Sequence, residues 1–247
     1  MNVIVFSPHQ DDEAFSCAGT IANHVKSGDV VAIVFMTDGR LGFNPAIEGK
    51  YTQDELAALR HDEALDAAKA MGVPGKHVKF IGYKDQELGN PGHHAEAVAK
   101  ILAMLAGTKP SIVYIAITNF GHVDHLATYF LVFEALKSAH YTGEVRVSIP
   151  HGFIDATRPA RADASSRFEL VNEAFPVAKE IKVDITASMG HKLAAIKAHK
   201  TQLGMFANLV DPADDFEAAM EEIFHDVYRD KIEAFESRFR REINKGL

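Results

Sequence analysis

Four ionisable side chains, His9, Asp11, Asp12 and Glu13, fall within five positions of the segment S-P-H-Q-D-D-E-A-F-S-C-A-G that runs from Ser7 to Gly19. His9 and Asp12 supply one nitrogen and one oxygen donor, and two or three such donors with a position left open make a catalytic zinc site. Asp11, adjacent but on a different vector, can then stay off the metal. The competing reading is that residues 11–13 only cap a helix, where carboxylates satisfy free N–H groups and meet the positive end of the dipole. A cap accounts for one carboxylate and leaves His9 unexplained. A second cluster, His122, Asp124 and His125, ends the segment T-N-F-G-H-V-D-H. One of its histidines can complete a His-Asp-His metal set while the other faces a substrate, a carboxylate fixing its tautomer.

Both clusters follow short runs rich in Val and Ile. Such runs at 2–6, 30–36, 77–81, 111–117 and 145–149, bounded by turn residues, read as buried strands. Helical spacing occupies 19–26, 53–71, 93–105 and 125–139 between them. This alternation predicts an α/β, Rossmann-like fold: a mainly parallel sheet with helices on both faces, its site beyond the carboxyl ends of the strands. A dinucleotide turn after strand one would need glycines for backbone approach to a pyrophosphate, and Asp11 and Asp12 would repel that phosphate unless a metal bridged them. Beyond 150 the pattern loosens. A strand or two is expected within 166–183, a helix over 187–203, and a long amphipathic helix over 214–243 with Tyr228, Ile232, Phe235, Phe239 and Ile243 along one stripe, forming a C-terminal helical extension. No repeat or linker divides residues 1–247, so one domain is expected.

The chain carries 34 Asp and Glu against 26 Lys and Arg, a formal charge of −8, which disfavours nucleic acid as a partner. With 47% hydrophobic and 24% charged residues, the composition is that of a globular protein with a substantial core. The single cysteine, Cys17, cannot form an intrachain disulfide, which fits a reducing cytosol, and it is expected to pack rather than react. The apolar run at 3–6 is far shorter than the ~20 residues of a membrane helix or a signal core. A cytoplasmic protein without a membrane partner is expected. The stripe on the final helix packs on its own domain or makes a homo-oligomer contact.

These blocks resemble the LmbE-like, or PIG-L, family of zinc-dependent N-acetyl-sugar deacetylases, whose members carry a His-Pro-Asp-Asp-Glu block after strand one and a His-Pro-Asp-His block after a later strand. Every chemical group is kept, and Gln10 and Val123 stand where those blocks have proline. The likeness continues through T-D-G at Thr37 to Gly39, R-x-x-E at Arg60 to Glu63, G-Y-x-D at Gly82 to Asp85, and K-x-x-A-x-x-x-H-x-T-Q at Lys192 to Gln202. The resemblance implies that His9, Asp12 and His125 bind one zinc ion per chain, that Asp11 is the general base, that His122 is the acid or oxyanion partner, and that Asp124 orients His122. The chemistry agrees, because zinc lowers the pKa of water toward about 7 and polarises an amide carbonyl. Phe120 has no hydroxyl with which to assist.

Outer residues complete the expectation. Arg60 and Glu63 fall inside the apolar stripe of Leu56, Leu59, Ala67 and Met71, as an i,i+3 ion pair or with Arg60 reaching a substrate group. Asp85 is placed to accept hydrogen bonds from sugar hydroxyls, and Asp38 and Arg40 to line the same pocket. His199, spaced with Ile196 and Leu203, reads as a core histidine. The expected function is hydrolytic removal of acetyl from an N-acetylglucosamine-type amine in a small sugar or glycoside. A zinc hydrolase of another small amide or ester, or a non-catalytic sugar-binding relative, is the alternative.

Overall fold

A computed structural model describes residues 1–116, 122–148, 177–206 and 221–227. In chain order the elements are β1 (Asn2–Ser7), α1 (Asp12–Lys26), β2 (Val30–Thr37), α2 (Gln53–Ala70), β3 (Val78–Tyr83), α3 (His94–Thr108), β4 (Ile112–Ile115), α4 (Val123–Ser138), β5 (Glu144–Ser148), β6 (Val177–Asp184), α5 (Met189–Ala198), the single turn α6 (Leu203–Phe206) and β7 (Glu221–Val227). The sheet runs β3-β2-β1-β4-β5-β7-β6. Its first five strands are parallel, and β7 lies antiparallel to both β5 and β6. β1 and β4 are buried along nearly their whole length, as central parallel strands covered on both faces must be.

One face of the sheet packs Val3, Val5, Ile33 and Phe35 against α1, α2 and α5, and the other packs Ile4, Phe6, Val34 and Met36 against α3 and α4. β1 pairs with both β2 and β4, and the chain leaves it toward β2 while leaving β4 toward β5. The loops after β1 and β4 therefore diverge, and a crevice opens between them at the carboxyl ends.

α1 begins at Asp12, seven positions before the helical spacing expected from 19. Its stripe of Ala14, Cys17, Ala18 and Ile21 already starts in the first turn. Gly19 marks a close crossing, since a Cβ there would lie 2.6 Å from Ile185 Cβ. α2 opens with a reciprocal cap between Thr52 and Glu55. The helix expected over 187–203 is shorter: a 3-10 turn at Thr186–Ser188 leads into α5, which stops at Ala198.

The C-terminal helical extension is corrected at 221–227, which form β7. Between β5 and β6 a strand satisfies two rows of backbone hydrogen bonds at once, and that outweighs local helical spacing. Of the strand expectation over 166–183, residues 177–183 lie in β6. Residues 166–176, the loop over 150–166, Phe120 and the stripe from Tyr228 to Ile243 lie outside the described residues. No helix among the described residues is long and apolar enough to cross a membrane.

Candidate active site

The loop after β1 is braced by the end of β2. Thr37 donates from N–H and hydroxyl to the Pro8 carbonyl at 3.1 and 2.9 Å, and the Gln10 amide donates to the Thr37 carbonyl at 2.8 Å. His9 follows, with its backbone N–H donating to Asp12 Oδ2 at 2.9 Å. The His9 ring stands among three carboxylates: Nδ1 is 3.3 Å from Asp12 Oδ2, and Nε2 is 3.3 Å from Asp85 Oδ1 and 3.2 Å from Asp124 Oδ2. From the other side of the crevice, His125 Nε2 comes within 3.5 Å of Asp12 Oδ2 and His122 Nε2 within 3.9 Å of Asp85 Oδ1. The structure thus brings His9, Asp12, His122, Asp124 and His125 together, and adds Asp85 to them.

Asp11 is the residue before α1, at φ 151 and ψ −31, and its side chain makes no capping hydrogen bond. Its carboxylate turns to Arg60, whose Nη2 is 3.3 Å away. Burial pushes the Asp11 carboxyl up, the Arg60 guanidinium opposes this, and the charge of Asp12 adds to the rise, leaving it at about 6. Burial alone would likewise raise Asp12 and Asp85, but His125 and His9 hold Asp12 below the usual value, and His9, Arg60 and His122 hold Asp85 well below it. Burial alone would lower His9, yet Asp12, Asp124 and Asp85 together raise it well above the usual imidazole. His122 moves the other way, lowered by burial and by the neighbouring His9 and His125. Its Nδ1 accepts the Asp124 N–H at 3.3 Å, which requires an unprotonated Nδ1 and leaves Nε2 as the N–H facing the centre.

These donors fit a metal ion. Ligand atoms of His9, His122 and His125 lie within 4.8 Å of one another, as do those of His9, Asp85, His122 and Asp124. A tetrahedral ion with bonds of about 2.1 Å spaces its ligand atoms about 3.4 Å apart. Asp12 belongs to neither group, but its Oδ2 stands at that spacing, 3.3 and 3.5 Å, from His9 Nδ1 and His125 Nε2 taken singly. Asp85 Oδ1, buried and without a hydrogen-bond partner, points into the same space.

The outer residues divide differently from the sequence expectation. Arg60 is 2% exposed and donates to the Gly39 carbonyl at 2.9 Å and the Gln10 carbonyl at 2.7 Å, standing behind Asp11. Glu63 pairs with Thr201, accepting from its N–H and hydroxyl at 2.9 and 2.7 Å, and forms no ion pair with Arg60. Asp124 meets His9 and the loop amides of Gln86 and Leu88, at 2.6 and 3.2 Å, where orientation of His122 by its carboxylate was expected. Asp38 ties the Asp85 N–H to Arg40, at 3.2 and 2.7 Å, and Arg40 also reaches Asp54 at 2.9 Å. Cys17 packs in the core at 1% exposure. His199, also buried, meets Glu13 Oε1 through Nε2 at 2.8 Å. The amides at 86 and 88 are groups that side-chain motifs do not display; the available signal was a carboxylate at 124 with more acceptor sites than one neighbouring histidine fills.

Comparison with known proteins runs in the same direction. The chain is 29% identical over 230 residues to the 1D-myo-inositol 2-acetamido-2-deoxy-α-D-glucopyranoside deacetylase of Mycobacterium sp. (strain KMS), covering 81% of this chain and 73% of that one. It is 28% identical over 203 residues to the diacetylchitobiose deacetylase of Thermococcus kodakarensis, covering 81% and 69%. The solved structure of N,N'-diacetylchitobiose deacetylase from Pyrococcus horikoshii shares the fold, with a TM-score of 0.66 at 22% identity over 92% of this chain and 83% of that one. Residues 4–136, more than half of the 247, match the family described as PIG-L, GlcNAc-PI de-N-acetylase; both acid and histidine blocks fall inside that stretch, and the chain belongs to this family.

Proposed function

We propose that this protein is a cytoplasmic, zinc-dependent hydrolase that removes the acetyl group from an N-acetylglucosamine-type amine in a small sugar or glycoside. The observation that carries the reading is the division of labour between adjacent aspartates: Asp12 faces His9 and His125, whereas Asp11 turns away to Arg60 and rises to about 6. His9, Asp12 and His125 would hold one zinc ion. Zinc supplies a lowered pKa for water, toward about 7, and polarisation of the amide carbonyl.

Asp11 is ionised at neutral pH and close enough to neutrality to take the proton from the attacking water and return it to the departing amine. His122, neutral and with Nε2–H toward the centre, donates to the oxygen on which negative charge develops. Asp124 fixes the His9 ring. Asp85 would turn Oδ1, which lies 3.3 Å from His9 Nε2 and makes no hydrogen bond, to a sugar hydroxyl, and Asp38 and Arg40 set the loop that carries it. Arg60 serves this pocket from behind Asp11.

Acetate release across a panel of N-acetylated glycosides, with and without a chelator, tests the reading. Release from N-acetylglucosaminides that a chelator stops and zinc restores is the expected result. Preference for a non-sugar amide or ester would replace the substrate, and sugar binding without acetate release would replace the activity.

A further inference from the structure

Glu13 and His199 are both fully withdrawn from solvent, and the chemistry above uses neither. They come from the first turn of α1 and the end of α5, and meet at 2.8 Å between Glu13 Oε1 and His199 Nε2. Burying a carboxylate and an imidazole is a poor route to stability compared with two apolar side chains. The other Glu13 oxygen shows what the pair holds: Oε2 accepts the Asp11 N–H at 3.1 Å and lies 3.5 Å from the Ser7 hydroxyl, which donates to the His9 carbonyl at 2.8 Å.

That N–H belongs to the peptide joining Gln10 to Asp11, and its carbonyl end is held too. Arg60 Nη2 donates to the Gln10 oxygen at 2.7 Å while Glu13 takes the Asp11 N–H. One peptide group is thus gripped at both ends by buried, oppositely charged side chains. The grip coincides with strained backbone, since Asp11 has φ 151, a region that non-glycine residues avoid. A relaxed aspartate at this position would adopt an extended conformation and accept from the free N–H groups of α1. Asp11 makes no such bond.

We infer that Glu13 and His199 form a positioning pair that, with Arg60, locks the Gln10–Asp11 peptide and so holds the Asp11 carboxylate against Arg60 instead of letting it cap α1. This rests on Asp11 as the general base. His199 donates from Nε2 and fixes the Glu13 rotamer, leaving Oε2 for the peptide. Burial lowers the His199 ring, but Glu13 and Asp11 together raise it above the usual imidazole value, and its Nδ1 has no hydrogen-bond partner. Glutamate suits the position because its carboxylate can accept from His199 and Asp11 at once. Glutamine keeps the acceptor for Asp11, and alanine removes both.

The test places His199→Gln, Glu13→Gln and Glu13→Ala in the wild-type chain and in an Asp11→Asn background. In the wild-type chain, His199→Gln and Glu13→Ala are expected to lower kcat by roughly 10-fold or more with KM and metal content nearly unchanged, Glu13→Gln being milder. In the Asp11→Asn background the same changes should alter the residual rate by less than about twofold, because no base remains to be positioned. Equal losses in both backgrounds would overturn the inference. A second readout needs neither metal nor activity. Exchange of the Asp11 amide in metal-free protein should quicken about 10-fold or more in His199→Gln and Glu13→Ala, the scale of a lost hydrogen bond. Unchanged Asp11 exchange in folded His199→Gln protein would also overturn it. Faster exchange in a chain that releases no acetate would leave the peptide lock standing and remove the deacetylase reading.

Discussion

Asp124 Oδ2 lies 3.2 Å from His9 Nε2, tying the first turn of α4 to the loop after β1 across 115 positions of sequence. The same fully buried carboxylate accepts the amides of Gln86 and Leu88. Three loops from three strands thus converge on one side chain. An amide there would turn a donor toward at least one of the N–H groups and halve the acceptor capacity. Asp124→Asn is expected to loosen the His9 ring and weaken metal affinity by about 10- to 100-fold, the usual scale for a partner behind a metal-binding histidine. Titration with a competing chelator measures this, and wild-type affinity would detach Asp124 from the metal centre.

His125 has a different consequence. If His125 is a donor of the proposed set, removing it deletes a bond to the ion itself, so His125→Ala should lose most of the metal on gel filtration, by elemental analysis. Full metal content in that variant would assign the third position to another group, with Asp85 and His122 among the donors grouped with His9.

Asp11→Asn gives opposite signs for activity and stability. If Asp11 is the proposed base, its loss lowers kcat by roughly 10²-fold or more while the metal stays bound. For stability, Asp11 is raised in the folded chain from 3.8 to about 6, so the folded state holds its proton more tightly than the unfolded one. That contribution is complete below 3.8 and is lost as pH rises through about 6. At pH 7 the metal-free wild-type chain therefore carries a buried charge that asparagine lacks. Metal-free Asp11→Asn should be more stable there by on the order of 2 kcal/mol, the difference closing toward pH 4, as read by thermal melting across that range. A variant less stable at pH 7 would place Asp11 among the groups that hold the fold.

The parallel strands and both site blocks were legible in the sequence because each has a local physical signature. A central parallel strand such as β1 must be an unbroken apolar run, and chemistry collects just past its end. β7 was not legible, because Glu221–Val227 has no such run and becomes a strand by filling the place between β5 and β6. Arg60 shows a finer limit. Its place in an apolar stripe announced burial, but its partners, the Gly39 and Gln10 carbonyls and Asp11, all sit on loops that a helical wheel does not contain. Glu63, expected beside it, finds Thr201 138 positions away. Periodicity shows that a charge is buried, and only tertiary geometry says with what.

Asp85 carries the substrate prediction. Its Oδ2 accepts the Leu41 N–H at 3.2 Å, which fixes the side chain, while Oδ1 faces His9 and His122 at 3.3 and 3.9 Å and has no hydrogen bond of its own. One oxygen is thus held by the loop, and the other faces the two histidines. If that oxygen holds a sugar hydroxyl equally in ground and transition states, Asp85→Ala raises KM for an N-acetylglucosaminide and leaves kcat nearly unchanged. Hydrolysis of a small acetamide without the ring should then be little affected. Arg60→Ala should behave in the reverse sense, lowering kcat for both substrates, because Arg60 is buried behind Asp11; stranding that carboxylate also costs on the order of 3 kcal/mol of stability in urea denaturation. Should Asp85→Ala slow sugar and ring-free substrates by the same factor, with fold and metal content intact, the 3.3 Å approach to His9 is the functional contact and Asp85 belongs to the metal-binding set.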